Sequence, residues 1–380
     1  MSTEQILTNA AIVTRNEVLH GTVHLRDGRI QDIDSGRSSH PAAVDCDGDY
    51  LIPGLIEIHT DNVEKHLLPR PGVVWPAMAA LLAHDSEVAA AGITTVFDAL
   101  AVGEYTQKSR RREMLKVAVE AIREARRQSL FRVDHLLHMR LELADPQVID
   151  LFEPHLGETL VRLVSLMDHT PGQRQWRDIE HFARFYKGKH GWTDAQVTER
   201  LAEAREHQAR YAEPNRHYLL NECKARGFII ASHDDTTAEH VAEAAADGIT
   251  ISEFPTTREA AQAARDHGMA VVMGAPNVVR GQSHSGNVSA TELAGDRLVD
   301  GLSSDYVPAS LLFAAFHLHR SLDRPIWESL AIVTANPARM LGLEDRGEIA
   351  IGKRADLVRV KEATHGPVVR STWCGGERVV

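Results

Sequence analysis

The stretch Asp49-Tyr50-Leu51-Ile52-Pro53-Gly54-Leu55-Ile56-Glu57-Ile58-His59-Thr60-Asp61 decides the fold. Its apolar core reads as a buried strand over 51–59, which places His59 and Asp61 at the C-terminal end. Side chains alternate along a strand, so residues two apart share a face. An imidazole and a carboxylate therefore point the same way beyond the strand tip. Nitrogen and oxygen donors of this kind suit Zn, Mn, Fe or Ni. A satisfied polar strand end would be spelled the same way, so the reading turns on what the other strands deliver.

Working outward, apolar runs at 51–59, 92–99, 131–142, 159–169, 228–234, 249–254, 270–276 and 301–305 are eight strand candidates. Segments of helical period, such as Arg110 to Gln128 and Ala238 to Ala246, lie between most of them. Eight β–α units predict an α/β fold, a distorted (β/α)8 TIM barrel over 51–340. The charged, helix-forming sequence between about 171 and 227 predicts a helical insertion. Short strands with turn signals such as Asp27-Gly28 fill the first 50 residues, and 341–380 reads alike. Neither end has enough strands to stand alone, so the two predict one composite β domain, a small β-sandwich. An open doubly wound sheet is the alternative. It loses support because no GxGxxG follows the first strand and no phosphate-binding P-loop occurs.

Composition narrows the class. The formal charge of -11 over 380 residues argues against general nucleic-acid binding, though not against a basic pocket for a small anion. No apolar stretch approaches the roughly 18 to 20 residues of a membrane span. The opening Met1-Ser2-Thr3-Glu4-Gln5 lacks the pattern of a secretory signal. Cys46, Cys223 and Cys374 are scattered, which fits a reduced, cytoplasmic protein better than a disulfide framework. A homo-oligomer is compatible with this composition.

In a barrel the active site lies at the C-terminal ends of the strands. Strand one delivers His59 and Asp61, and strand two Asp98. Strand three delivers His138, Arg140 and Glu142 on one face. Strand four ends in Asp168-His169, strand five in His233-Asp234-Asp235, strand six in Glu253 and strand eight in Asp305. Seven of eight strands delivering His, Asp or Glu at their ends is a poor fit to packing alone, because buried charges are costly unless paired or metal-bound. Neighbours on a strand face opposite ways, so His169 and Asp168 are alternatives for one ligand position. Glu253 reads either as a carboxylate supporting a ligand or as a residue orienting the Phe254-Pro255 turn. Asp98 reads as a strand-end cap, and His84 as a helix residue within reach of the mouth.

Recognition of a family rests on longer words. "PGLIEIHTD", the strand-five His, the strand-eight Asp and the closing "GEIAIGKRADLVRV" resemble the amidohydrolase superfamily. "HTDNVEKH", "PRPGVVWP", "MDHTPGQRQ", "ASHDDTT", "EFPTT", "MGAPN", "RGQSHSGN" and "LSSDYVPASLL" resemble one branch of it. That branch is the α-D-ribose 1-methylphosphonate 5-triphosphate diphosphatases of phosphonate catabolism by carbon–phosphorus lyase. The resemblance covers residues 6 to 365. Most superfamily members carry His-x-His on strand one, whereas this chain has Asp61 at the second position. No Lys lies on strand four, where a bridging Lys is common elsewhere, and Glu142 is the substitute.

The resemblance implies a metal site of His59, Asp61, Glu142, His169, His233 and Asp305. That set is enough for one or two divalent ions, zinc first and Mn, Ni or Fe as alternatives. It implies hydrolysis of the α–β phosphoanhydride of the ribose 5-triphosphate by a metal-activated water. Asp305 would be general base as well as ligand, and His284 or His66 would stand ready to donate a proton. Lys65, His66, Arg70, Arg140, Arg174, Arg280 and Ser283 would hold the substrate, a small anionic ribose phosphonate polyphosphate. The bland reading of each cation is a solvated charge or an ion-pair partner. Rival readings are a hydrolase of cyclic amides or N-acetyl groups on the same barrel, and a barrel that has lost catalysis.

Overall fold

The computed structural model describes residues 4–104, 111–172, 174, 179–190, 192–283 and 286–380. Strands β1 (Glu4–Val13), β2 (Val18–Arg26), β3 (Arg29–Ser35), β4 (Val44–Asp45) and β5 (Tyr50–Pro53) open the chain. Barrel strands follow as β6 (Leu55–Thr60), β7 (Ile93–Val102), β8 (Asp134–Glu142) and β9 (Val161–Met167). Then come β10 (Ile229–His233), β11 (Ile251–Glu253), β12 (Ala270–Gly274) and β13 (Gly301–Ser303). The chain ends with β14 (Leu357–Ala363), β15 (Gly366–Cys374) and β16 (Glu377–Arg378).

The strands from the two ends form one sheet in the order β16-β15-β14-β5-β1-β2-β3, with β4 also on β1. Its own core gathers Leu7, Ile12, Val23, Leu25, Leu51, Leu357 and Trp373. β6 to β13 form a second, all-parallel sheet in sequence order. β7 is buried along all ten residues, as expected for a parallel strand covered on both faces.

The apolar run expected as one strand over 51–59 is in fact two. β5 pairs with β1 and β14 in the terminal sheet, and β6 pairs with β7 in the barrel. Gly54 is the switch. Its N–H bonds Asp356 O at 2.8 Å, and a Cβ there would lie 2.1 Å from Thr94 Oγ1, so no larger residue fits. The apolar residues on both sides of Pro53-Gly54 masked the break, because both halves are buried.

The barrel closes between β6 and β13, unevenly. At the C-terminal end the Asp305 N–H bonds His59 O at 3.1 Å and the Asp61 N–H bonds Asp305 O at 3.2 Å. The Glu57 carboxylate reinforces the seam by accepting from the His59 N–H and the Ser304 N–H, both at 2.8 Å. Burial pushes Glu57 up to about 8 despite those bonds. At the other end the segment 332–333 wedges in, with Ile56 N–H on Val333 O and Leu302 N–H on Ile332 O. This wedge is the distortion of the barrel.

Helix starts follow the sequence. The repeated Thr-Thr after β10 and β11 places Thr237 and Thr257 as N-caps, their Oγ1 accepting from the His240 and Ala260 N–H. In the 171–227 region lie helices Ile179–His190, Asp194–His207 and Glu213–Ala225. Gln208 Nε2 bonds Asp168 Oδ2 at 2.9 Å, and Asn215 Nδ2 bonds Leu143 O at 2.9 Å. The inserted helices are thus tied to the C-terminal ends of β8 and β9, beside the barrel mouth.

Candidate metal centre and active site

The residues at the mouth are held by a buried carboxylate at the end of β11. Glu253 Oε1 accepts from His59 Nδ1 at 2.6 Å and Oε2 from His233 Nδ1 at 2.7 Å. Burial opposes the Glu253 charge, but the His59 and His138 rings and these hydrogen bonds outweigh it and hold the carboxyl well below its usual range. An ionised carboxylate only accepts, so both imidazoles donate from Nδ1 and keep the Nε2 lone pair for another partner. Of the two readings of Glu253 in the sequence, the structure places it as support for the histidines. Phe254, held at φ 56°, packs its ring against His59 and His233 at centroid distances of 5.1 and 5.4 Å. Ser165 Oγ lies 2.6 Å from His138 Nε2 and 2.9 Å from Glu253 Oε2. Burial holds His138 down to about 3.

A second carboxylate fixes the third ring. Glu142 Oε1 accepts from the His169 N–H at 3.1 Å and Oε2 accepts from His169 Nδ1 at 2.6 Å. Burial disfavours the His169 cation, but Glu142 and Asp234 outweigh it and raise its pKa. The ring lies beside His233, with centroids 5.5 Å apart. Asp168 turns away, Oδ1 accepting from the Thr170 N–H and Oδ2 from Gln208 Nε2. The alternation of strand neighbours thus sends His169, not Asp168, into the mouth.

Asp234 was not among the residues singled out as candidates. It has φ 55°, a left-handed conformation uncommon outside Gly, Asn and Asp. Its carboxylate is buried, with Oδ2 lacking any hydrogen-bond partner, 3.6 Å from His233 Nε2 and 3.8 Å from His169 Nε2. Asp305 also has positive φ, 55°, just past β13. Burial and then the Asp61 charge push its carboxyl up to about 7.

The expected cations divide. Arg140 reaches the centre, where its charge acts on His138, His169 and Asp305, and its Nε is buried with no hydrogen-bond partner. Arg174 Nη1 is already engaged by Asp235 Oδ1 at 2.8 Å and His233 O at 3.0 Å, so it braces the loop after β10. Lys65 Nζ bonds Asn62 Oδ1 at 3.2 Å, and His66 Nε2 lies 2.8 Å from Glu87 Oε2. Arg70 and Arg280 are exposed, and Ser283 is half-buried. Asn277 holds the last loop, bonding Val288 O at 3.0 Å and accepting from the Ala290 N–H at 3.1 Å. His284 lies outside the described residues.

A separate buried cluster flanks the barrel. Asp98 lies inside β7, not at its end, and is no cap. Its Oδ1 accepts from His84 Nε2 at 2.8 Å and Oδ2 from His135 Nδ1 at 2.7 Å. Burial opposes the His135 charge, but Asp98 and Asp85 hold its pKa up to about 9.

The donor set fits a divalent ion. Imidazole nitrogens and carboxylate oxygens converge, the rings are pinned from behind as metal-binding histidines are, and one buried oxygen has no other partner.

Comparison with known proteins agrees. The amidohydrolase family model matches residues 50–379. The α-D-ribose 1-methylphosphonate 5-triphosphate diphosphatase of Escherichia coli (strain K12) is 46% identical over 376 residues, 98% of this chain and 100% of that protein. The dihydroorotase of Methanopyrus kandleri is 34% identical over 118 residues, 26% of each chain. Among solved structures, N-acetylglucosamine-6-phosphate deacetylase from Pasteurella multocida superposes with TM-score 0.66 at 14% identity, covering 99% of both chains. Dihydropyrimidinase from Brevibacillus agri NCHU1002 gives TM-score 0.66 at 12% identity, covering 100% of this chain and 95% of the other. These two structures speak for the fold. The chain belongs to the amidohydrolase family and, within it, to the α-D-ribose 1-methylphosphonate 5-triphosphate diphosphatases.

Proposed function

We propose that this protein hydrolyses the α–β phosphoanhydride of α-D-ribose 1-methylphosphonate 5-triphosphate, releasing diphosphate and the 5-phosphate. The observation that carries the proposal is 46% identity to the E. coli diphosphatase over that protein's whole length. The mouth geometry supports it. Its unengaged groups are the Nε2 atoms of His59 and His233, an unpartnered Asp234 oxygen and an unpartnered Arg140 nitrogen, a set suited to an anionic substrate held on a cation.

His59, His169 and His233, with Asp61, Glu142 and Asp305, would hold one or two divalent ions, zinc first by donor type. A divalent ion would supply Lewis acidity to the phosphoryl oxygens and lower the pKa of a bound water toward about 7. Asp305, between Asp61 and the histidines, would accept the proton of the attacking water. The water oxygen bonds to the α-phosphorus as the bridging oxygen departs with diphosphate. Diphosphate is a stable anion, so little acid assistance is required. Arg140, whose buried Nε has no partner, would bind non-bridging oxygens of the α-phosphate. Arg174 would act through Asp235 and the His233 carbonyl by holding the β10 loop. Lys65, His66, Arg70, Arg280 and Ser283, with His284, would meet the outer phosphates and the phosphonate.

Phosphorus NMR of the protein with this triphosphate and a divalent metal tests the proposal. Diphosphate appearing together with the 5-monophosphate is the expected result. Orthophosphate release would mean attack at the terminal phosphate and would overturn it.

A further inference from the structure

The residue after the β10 histidine is not among the metal ligands named above, yet its environment is hard to explain without an ion. Asp234 is 5% exposed, and its Oδ2 has no hydrogen-bond partner. Leaving a buried carboxylate oxygen unpaired costs several kcal/mol in general, so such atoms point to an absent partner. The atoms it faces are the Nε2 of His233 at 3.6 Å and of His169 at 3.8 Å. Both are too far for a charge-assisted hydrogen bond, which would close to about 2.7–2.9 Å. Both are near the roughly 3.4 Å that separates two ligands on one tetrahedral ion with bonds of about 2.1 Å. One ligand atom from each of His169, His233 and Asp234 lies within 4.8 Å of the others.

The backbone is built for this convergence. In a regular strand Asp234 would face away from His233. The left-handed φ of 55° breaks the alternation and swings the carboxylate back alongside the ring. Neighbouring bonds hold that turn. The Asp234 N–H bonds Glu253 O at 2.9 Å, and Asp235 is gripped by Arg174, Ser232 and Ser252.

We infer that the Asp234 carboxylate is a protein ligand, with Nε2 of His169 and His233, of one divalent metal ion. This rests on the metal reading of the mouth proposed above and adds a ligand to the set named there. Glu142, named above among the ligands, has both oxygens on His169 and in this arrangement acts from behind that ring instead.

The test separates the two claims. Wild type, Asp234→Asn and Asp168→Asn are stripped with chelator, reloaded with zinc and assayed by elemental mass spectrometry and competition with a chromophoric chelator. Asn tolerates the left-handed turn, so Asp234→Asn keeps the backbone. The expected result is that Asp234→Asn binds one equivalent at least about tenfold more weakly, while Asp168→Asn matches wild type. Wild-type affinity in Asp234→Asn overturns the inference and leaves the metal reading standing. A wild type that takes up no zinc overturns both. Anomalous diffraction from zinc-loaded wild type gives an answer independent of any variant. An ion about 2.0–2.2 Å from Asp234 Oδ2 is expected, and an ion on the two histidines but out of bonding range of Asp234 would overturn the assignment.

Discussion

Two buried histidine–carboxylate clusters, alike in composition, differ in what they leave unsatisfied. In the flank, His135 gives its two ring N–H groups to Asp98 and Asp85, and His84 gives Nε2–H to Asp98 and accepts from Asn62 Nδ2 at 3.0 Å. Asp85 also takes the Arg132 guanidinium at 3.0 Å. Among the described residues, no buried side-chain atom of this cluster lacks a partner. At the mouth, Glu253 pins His59 and His233 by Nδ1 and leaves their Nε2 atoms over, Glu142 pins His169 by Nδ1, and Asp234 and Arg140 each keep an unpartnered atom. A closed network is a structural element, whereas an open one is a site awaiting something. Residue type alone does not make this distinction, since three metal-capable groups recur in both places.

The sharpest way to break the comparison is at Asp305. Asp305→Asn keeps the size of the side chain and tolerates the left-handed backbone, but removes the proton acceptor. We expect kcat to fall by roughly 10²- to 10⁴-fold with an unchanged circular dichroism spectrum. Turnover near wild type would take Asp305 out of the base role. In the flank the corresponding change, Asp98→Asn, should cost stability instead. Breaking a buried ion pair from one side removes about 3–5 kcal/mol, readable as a lower urea midpoint. Activity per folded molecule should stay within a fewfold of wild type, and a catalytic loss without a stability loss would reverse the assignment of the two clusters.

Glu253→Gln probes the support of the open cluster. A glutamine offers one acceptor oxygen and an NH₂ that only donates, so it cannot accept from both Nδ1–H groups. One ring must present Nδ1 as acceptor, which puts its proton on Nε2 and removes that lone pair. Loss of such a supporting contact typically weakens metal binding about 10- to 100-fold. Zinc competition measures this, and unchanged affinity would show that the rings are oriented by packing against Phe254.

Much of this was legible in the sequence because strand ends are local. His59, His169 and His233 follow apolar runs, but alternation says only that Asp168 and His169 face opposite ways, and the contacts of Asp168 with Thr170 and Gln208 decide between them. What was not legible depends on contacts or torsions that no short window contains. His59 and Glu253 are 194 residues apart, and Glu57 meets Ser304 across 247. Asp98 looked terminal because the apolar run hid how far β7 continues. A period-two pattern turns Asp234 away from His233, and only the sign of its φ brings it back. Pro53-Gly54 does mark the break, but the apolar residues on both sides of it read as one buried strand.

The smallest expected effect is a pH dependence confined to the flank. Burial alone would favour neutral His135, but Asp98 and Asp85 hold its folded pKa up to about 9, above the 6.5 of an ordinary histidine. A raised pKa means that the protonated ring stabilises the fold. That contribution is fully present below about 6.5 and is lost as pH rises through about 9. His135→Gln removes the titration while keeping a donor for Asp98. The difference in urea midpoint between wild type and this variant should be largest near pH 6 and should narrow by about pH 9.5. A constant difference would mean that His135 is neutral in the folded protein. Its Nε2 or Nδ1 would then carry a free lone pair against a carboxylate, and the flank would be an open cluster like the mouth.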